Sequence, residues 1–130
     1  LLLRPFHVQF SFQELFGWLN APFAWLMGVP GKDCLVIGQI LGERIVLNEF
    51  FGYVSLTQKY KGMVLDERSF ILATYALCGF ANFGSIAIQI GGIGALVPSR
   101  RQDLAELGVR AMIGWLLASY LTATLVGIII

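Results

Sequence analysis

Between Ser69 and Ser99 lie 31 residues without a charged side chain, interrupted near their centre by Gly79-Phe80-Ala81-Asn82-Phe83-Gly84. As one continuous helix at about 1.5 Å per residue, that run would reach roughly 46 Å, well beyond the roughly 30 Å of a hydrocarbon core. A glycine on either side of a polar amide lets the backbone leave helical geometry, and irregular backbone at membrane depth persists only against protein or a cavity. The run is therefore expected to form two half-helices, one from about Ser69 to Cys78 and one from about Ser85 to Val97.

The composition agrees with a membrane setting. Hydrophobic residues make up 57% of the chain, charged residues 13%, and the mean hydropathy is +0.75, well above soluble-domain usage. A net charge of +1 with no basic cluster argues against nucleic acid as a partner. A second charge-free run, Ala111 to Ile130, is 20 residues long and matches one crossing. The opening Leu1-Leu2-Leu3-Arg4-Pro5 has neither an initiator methionine nor signal-peptide architecture, so it is expected to begin a fragment of a larger bundle. Cys34 and Cys78 lie in apolar surroundings without a CxxC spacing, as small buried hydrophobes do. His7 has no second ligand nearby, so neither a metal site nor catalysis is expected of it.

Four segments follow an arm over residues 1–10. Over 11–28, Phe12, Leu15, Phe16, Leu19, Phe23, Leu26 and Met27 recur at helical spacing, with Trp18 and Trp25 suited to the headgroup level. An interfacial helix with a break at Pro22 is expected; an ordinary amphipathic core helix is the alternative. Over 30–60, two stretches too short to cross flank Leu47-Asn48-Glu49, which fits a re-entrant hairpin with a polar tip; one bent helix with a buried carboxylate competes. The discontinuous helix occupies 68–98, where Gly91, Gly92 and Gly94 offer a small packing face. Over 103–130 a full crossing follows, with Asp103 as N-cap and Glu106 at capping-box spacing. Basic residues tie between the two ends of the broken helix: Lys59, Lys61 and Arg68 against Arg100, Arg101 and Arg110. The Arg100-Arg101 pair tilts that turn toward the inner face.

Glu49 is the strongest candidate for function, because a carboxylate in hydrocarbon must meet water, a cation or a polar ligand. Its oxygens suit adjacent hydroxyls; a helix-terminal charge or a wet tip are the competing roles. Asn48 is expected to cap the returning helix. Asn82 both donates and accepts, as a sugar hydroxyl does, although satisfying carbonyls released by the break would also justify it. For Ser85, capping and ligand contact compete evenly. Of Phe80 and Phe83, one is expected to pack the break and the other to present an aromatic wall. Broken helices of this kind build the solute sites of many secondary transporters. No nucleophile-base-acid set and no phosphate loop is present, so an enzyme is not expected.

Two stretches carry a family resemblance: Gly42-Glu43-Arg44-Ile45-Val46-Leu47-Asn48-Glu49-Phe50, and the run from Thr74 through Gly79-Phe80-Ala81-Asn82-Phe83-Gly84-Ser85 to Ile88. With Gly91-Gly92-Ile93-Gly94-Ala95-Leu96-Val97-Pro98 and Arg100-Arg101, they closely resemble the carboxy-terminal half of the concentrative nucleoside transporters, bacterial type, over nearly the whole chain. The resemblance implies an all-α membrane protein, here the second inverted repeat with interfacial helix, re-entrant helical hairpin, discontinuous helix and terminal transmembrane helix. It implies that Glu49 binds ribose hydroxyls, that Asn82 and Ser85 make polar ribose contacts, and that Phe80 packs near the nucleobase. Phe51-Gly52 stands where members carry smaller aliphatic residues and alanine, and Gly84 where many carry serine.

The implied activity is inward nucleoside symport by alternating access in a multi-pass cell-membrane protein, the bacterial inner membrane being expected. Sodium or a proton is the coupling ion, and no cofactor or metal site falls in this segment. The implied partners are the nucleoside, the amino-terminal half that carries most base contacts and the main sodium ligands, and two further copies in a homotrimer. A solute channel fragment or a non-transporting membrane scaffold is the alternative that composition alone leaves open.

Overall fold

The computed structural model describes residues 12–62 and 64–130, all-α among the described residues; the expected arm and His7 lie outside them. The helices are α1 (Phe12–Leu26), α2 (Cys34–Val46), α3 (Glu49–Lys61), α4 (Glu67–Leu77), α5 (Phe83–Leu96) and α6 (Arg101–Ile129). A 3₁₀ turn, Pro98–Arg100, leads into α6.

α1 lies antiparallel on α2, held close by small residues. A Cβ at Gly38 would strike the Gly17 carbonyl oxygen and Ala21, and one at Gly42 would strike Phe16. Close backbone approach of this kind is how helices associate where lipid weakens the hydrophobic drive. α1 continues through Pro22, where a break was expected. The ring sits on the exposed side, so the helix accommodates a proline that costs about 3 kcal/mol or more in an interior while its opposite face stays packed. That packed face is Gly17, Asn20, Ala24 and Met27; Leu15, Trp18, Leu19, Trp25 and Leu26 remain exposed.

α2 and α3 are two separate 13-residue helices packed against each other, each spanning about 20 Å, so a bent single helix is not what forms. The hairpin's base is clasped to α4. Asp33 is buried and accepts from the Ser69 hydroxyl and from Asp66 N at 3.1 Å. Lys32 pairs with Asp66 at 2.8 Å on the surface, and that carboxylate holds the ammonium's pKa above its ordinary value. Arg68 donates to Gly28 O at 3.0 Å and to Gly127 O at 2.7 Å, tying the α1–α2 turn to the end of α6.

α4 and α5 both pack along α6, antiparallel to it. Leu72 meets Gly127, Gly79 meets Trp115, Ile86 meets Gly108, and Arg101 folds over Gly94. The break therefore lies beside the middle of α6. The core runs through Ile37, Ile40 and Leu41 of α2, Leu56 of α3, Leu72, Ala73, Ala76 and Leu77 of α4, and Tyr120 and Ala123 of α6.

Two further local expectations fail for identifiable reasons. Asp103 does not cap α6: the 3₁₀ turn feeds straight into the helix, and Asp103 pairs with Arg100 while Glu106 accepts from Gln102 at 3.0 Å. Cys34 is buried, its thiol 3.4 Å from Val29 O, but Cys78 is exposed where the chain leaves α4 in extended conformation.

Pro98–Ile129, 32 residues, is long and apolar enough to cross a membrane. Much of its surface, including Leu107, Ile113, Leu117, Leu121, Leu125 and Ile128, is exposed, as is Ile88, Ile93 and Leu96 on α5. Apolar area of that extent calls for lipid or further protein against it.

Candidate functional site

The hairpin tip and the helix break meet through one side chain. Asn48 adopts extended backbone and caps α3, its Oδ1 accepting from Phe51 N at 3.2 Å, which puts Glu49 in the first turn of α3. There the helix dipole favours a carboxylate. Asn82, 3% exposed, caps α5 in the same manner. Its Oδ1 accepts from Ser85 N at 2.8 Å and from Ser85 Oγ at 3.0 Å, and its Nδ2 donates to Glu49 Oε2 at 3.0 Å. The Ser85 amide requires an oxygen, so the orientation of the Asn82 amide is fixed, and with it the donor that faces Glu49.

Asn82 thus serves the amides of the returning helix rather than the carbonyls released by α4. Those carbonyls are met from elsewhere. Tyr53 of α3 donates its hydroxyl to Thr74 O at 3.0 Å, Cys78 N reaches Tyr75 O at 3.1 Å, and Arg44 of α2 donates through Nη1 to Ala76 O. Arg44 is fully buried; Nη1 and Nη2 also reach Ser119 Oγ at 3.1 and 3.2 Å, and the guanidinium lies 5.7 Å from the Tyr120 ring centroid. Its Nε has no hydrogen-bond partner among the described residues. The Tyr120 hydroxyl continues to Asn20 of α1 at 2.6 Å, and Asn20 to Phe16 O at 2.8 Å.

Of the glycines flanking the break, only Gly79 uses its conformational freedom, at φ +148. A Cβ there would meet the Trp115 ring at 3.1 Å. Gly84 lies within α5, and a Cβ on it would approach Asn82 Oδ1 at 3.2 Å. Gly52, buried on α3, lets the hairpin close on α4: a Cβ would come 2.8 Å from Leu77 Cδ2.

Glu49, Asn82 and Ser85 are therefore brought together, whereas Phe80 turns edge-on to Trp115, with ring centroids 6.4 Å apart. Phe80 and Phe83 are both more than half exposed, at 58% and 51%, so the site opens to the outside of this chain. Among the described residues the Glu49 carboxylate accepts one bond, from Asn82, and retains further acceptor capacity, while Asn82 retains one amide hydrogen. The arrangement sets a carboxylate acceptor against an amide donor, with two exposed aromatic rings on the residues that flank the break. Among the described residues, no group of three or more His, Cys, Asp or Glu could hold a metal ion. The sequence does not single out Arg44, Tyr53 and Ser119 as parts of this region; the one available signal is the Glu43-Arg44 pair within the largely apolar stretch ending at Val46.

A short helical hairpin whose polar tip abuts an interrupted helix is the architecture of a secondary-transporter repeat. Residues 2–127 match the family described as Na+ dependent nucleoside transporter C-terminus, and the chain belongs to that family, one of transporters rather than enzymes. It is 44% identical over 124 residues to an uncharacterized transporter of Haemophilus influenzae, covering 92% of this chain and 30% of that protein. It is 41% identical to sodium/nucleoside cotransporter 1 of Rattus norvegicus, covering 92% of this chain and 20% of the relative. Its fold matches that of CNTnw in an inward-facing substrate-bound state, with TM-score 0.83 and 36% identity over 88% of this chain and 28% of the other. It matches a CNTnw variant in an outward-facing state equally, with TM-score 0.85 and 34% identity over 94% of this chain and 30% of the other. The chain thus spans less than a third of the length of these proteins.

Proposed function

We propose that the complete protein is a secondary active symporter that carries nucleosides inward by alternating access, with this chain as the second of two inverted repeats. The observation that carries this is the Asn82–Glu49 hydrogen bond, which joins a hairpin tip to a helix break. In this role Glu49 accepts from ribose hydroxyls, Asn82 and Ser85 complete the polar contacts, and Phe80 borders the nucleobase. Charge-assisted hydrogen bonds of the Glu49 type replace the solute's hydration as the tip closes. The amino-terminal half supplies the opposite wall, and the exposed faces of α5 and α6 are where it and lipid are accommodated.

Sodium or a proton drives the cycle; the family description naming Na+ supports sodium. Occupancy by nucleoside and ion together favours the translocating state. The membrane is a bacterial inner membrane, crossed several times by the complete chain, and the assembly is a homotrimer; the bacterial relatives support the first of these.

The test is nucleoside uptake into proteoliposomes holding the complete protein, with sodium and proton gradients imposed separately. Accumulation against the nucleoside gradient, driven by one of the two ions, is expected. Downhill flux indifferent to both gradients would establish a channel instead.

A further inference from the structure

The hairpin grips the broken helix on both sides of the break, and the two grips differ in kind. On the far side, Glu49 at the tip meets Asn82, the N-cap of α5. On the near side, Arg44 and Tyr53 occupy the carbonyls of Ala76 and Thr74 in the last turn of α4. A helix end buried without partners for its carbonyls is costly, and more so away from water. The last turn of α4 is such an end: Ala76 and Leu77 are fully buried, and the next residue that could continue the ladder, Cys78, already turns extended.

Arg44 suits this position for a physical reason. Its planar fork spans two acceptors on different helices, Ala76 O on α4 and Ser119 Oγ on α6, while its face lies over Tyr120. Ser119 is itself held by its bond to Leu116 O at 2.8 Å, one turn from Trp115, which walls in Gly79. Arg44 also stands only five positions before Glu49 on the same hairpin. Thus one end of the short Arg44-to-Glu49 segment is anchored in the last turn of α4, and its other end at the N-cap of α5.

We infer that Arg44 is a positioning residue for the solute site: by holding Ala76 O and Ser119, it sets the span of the break so that Asn82 faces Glu49. It touches no solute. This inference rests on the proposed role of Glu49 only for its effect on affinity; its effect on the geometry of the break stands apart from that role.

The experiment uses the complete protein in detergent with Arg44→Gln, Arg44→Lys, Glu49→Gln and the Arg44→Gln/Glu49→Gln pair. Uridine and adenosine binding is read by calorimetry and amide exchange by mass spectrometry. Arg44→Gln is expected to speed exchange at least tenfold in the segment from Cys78 to Ser85 while leaving the α1–α2 turn and the end of α6 unchanged, and to raise Kd at least tenfold. Arg44→Lys, which keeps a cationic donor, is expected to recover part of both effects and serves alone where the glutamine variant does not fold. The double variant is expected to bind less weakly than the product of the two single effects, because part of what Arg44 positions is lost with the carboxylate. Exchange at the break that stays at the wild-type rate, or quickens equally throughout the protein, overturns the inference, as does a Kd in the double variant equal to the product of the single effects. Wild-type affinity in Glu49→Gln would instead overturn the solute role of Glu49, with the exchange measurement still deciding the role of Arg44.

Discussion

Asn82 donates to Glu49 at 3.0 Å while accepting from both the amide and the hydroxyl of Ser85. One amide therefore caps a helix and presents a donor to a carboxylate 33 positions away in sequence. The two tasks use different atoms, so they separate by mutation.

Asn82→Asp keeps an oxygen for the Ser85 amide but sets a second carboxylate against Glu49. The cap of α5 is kept, while nucleoside affinity of the complete protein is expected to drop at least tenfold, because two carboxylates at hydrogen-bond distance cannot both ionise. Asn82→Ala loses cap and donor together, and is expected to lower both stability and affinity. Unfolding followed by tryptophan emission, alongside calorimetric binding, separates the two variants.

Gly79→Ala tests the turn itself. At φ +148 an L side chain is strained, and the Cβ would press on Trp115 at 3.1 Å. A loss of about 1–3 kcal/mol in stability is expected, the cost of a residue held in a sparsely populated backbone region. Gly84→Ala, within α5 and near only Asn82 Oδ1 at 3.2 Å, is expected to cost less. Equal melting temperatures for the two variants would contradict the distinction between them.

Asp33 anchors the hairpin base. Replacing it with alanine strands the Ser69 hydroxyl and the Asp66 amide, and a buried donor left unmade costs about 1–3 kcal/mol. Asp33→Ala is expected to lower the melting temperature clearly. Lys32→Ala, which removes only the exposed pair with Asp66, is expected to leave it nearly unchanged, as surface pairs contribute little.

The broken helix was legible because charge-free length and a polar amide are local properties of the sequence, and the hairpin because a lone Asn-Glu pair interrupts an apolar stretch. The cap at Asn48 followed from the same logic, whereas Asn82, expected to meet carbonyls released by the break or a ligand, instead caps α5. What escaped was set by partners distant in sequence. Arg44 reads as an ordinary charge beside Glu43 until α4 and α6 deliver a carbonyl and a hydroxyl to it. The buried face of α1 was masked because its apolar stripe, Leu15, Leu19 and Leu26, faces outward while Gly17, Asn20 and Ala24 pack inward. Close approach to α2 selects small residues there, and bulk hydrophobicity does not report it. Pro22 and Asp103 failed as local signals for a related reason: a helix packed along one face tolerates proline on the other, and a 3₁₀ turn displaced the expected cap.

Equilibrium binding of uridine and adenosine to the complete protein carrying Glu49→Gln decides whether this carboxylate is a solute ligand. Loss of a charge-assisted acceptor removes about 1.5–3 kcal/mol, so affinity is expected to fall by about tenfold to more than a hundredfold with the fold intact. A correctly folded Glu49→Gln protein that binds both nucleosides as tightly as the wild type would show that the carboxylate is no solute ligand.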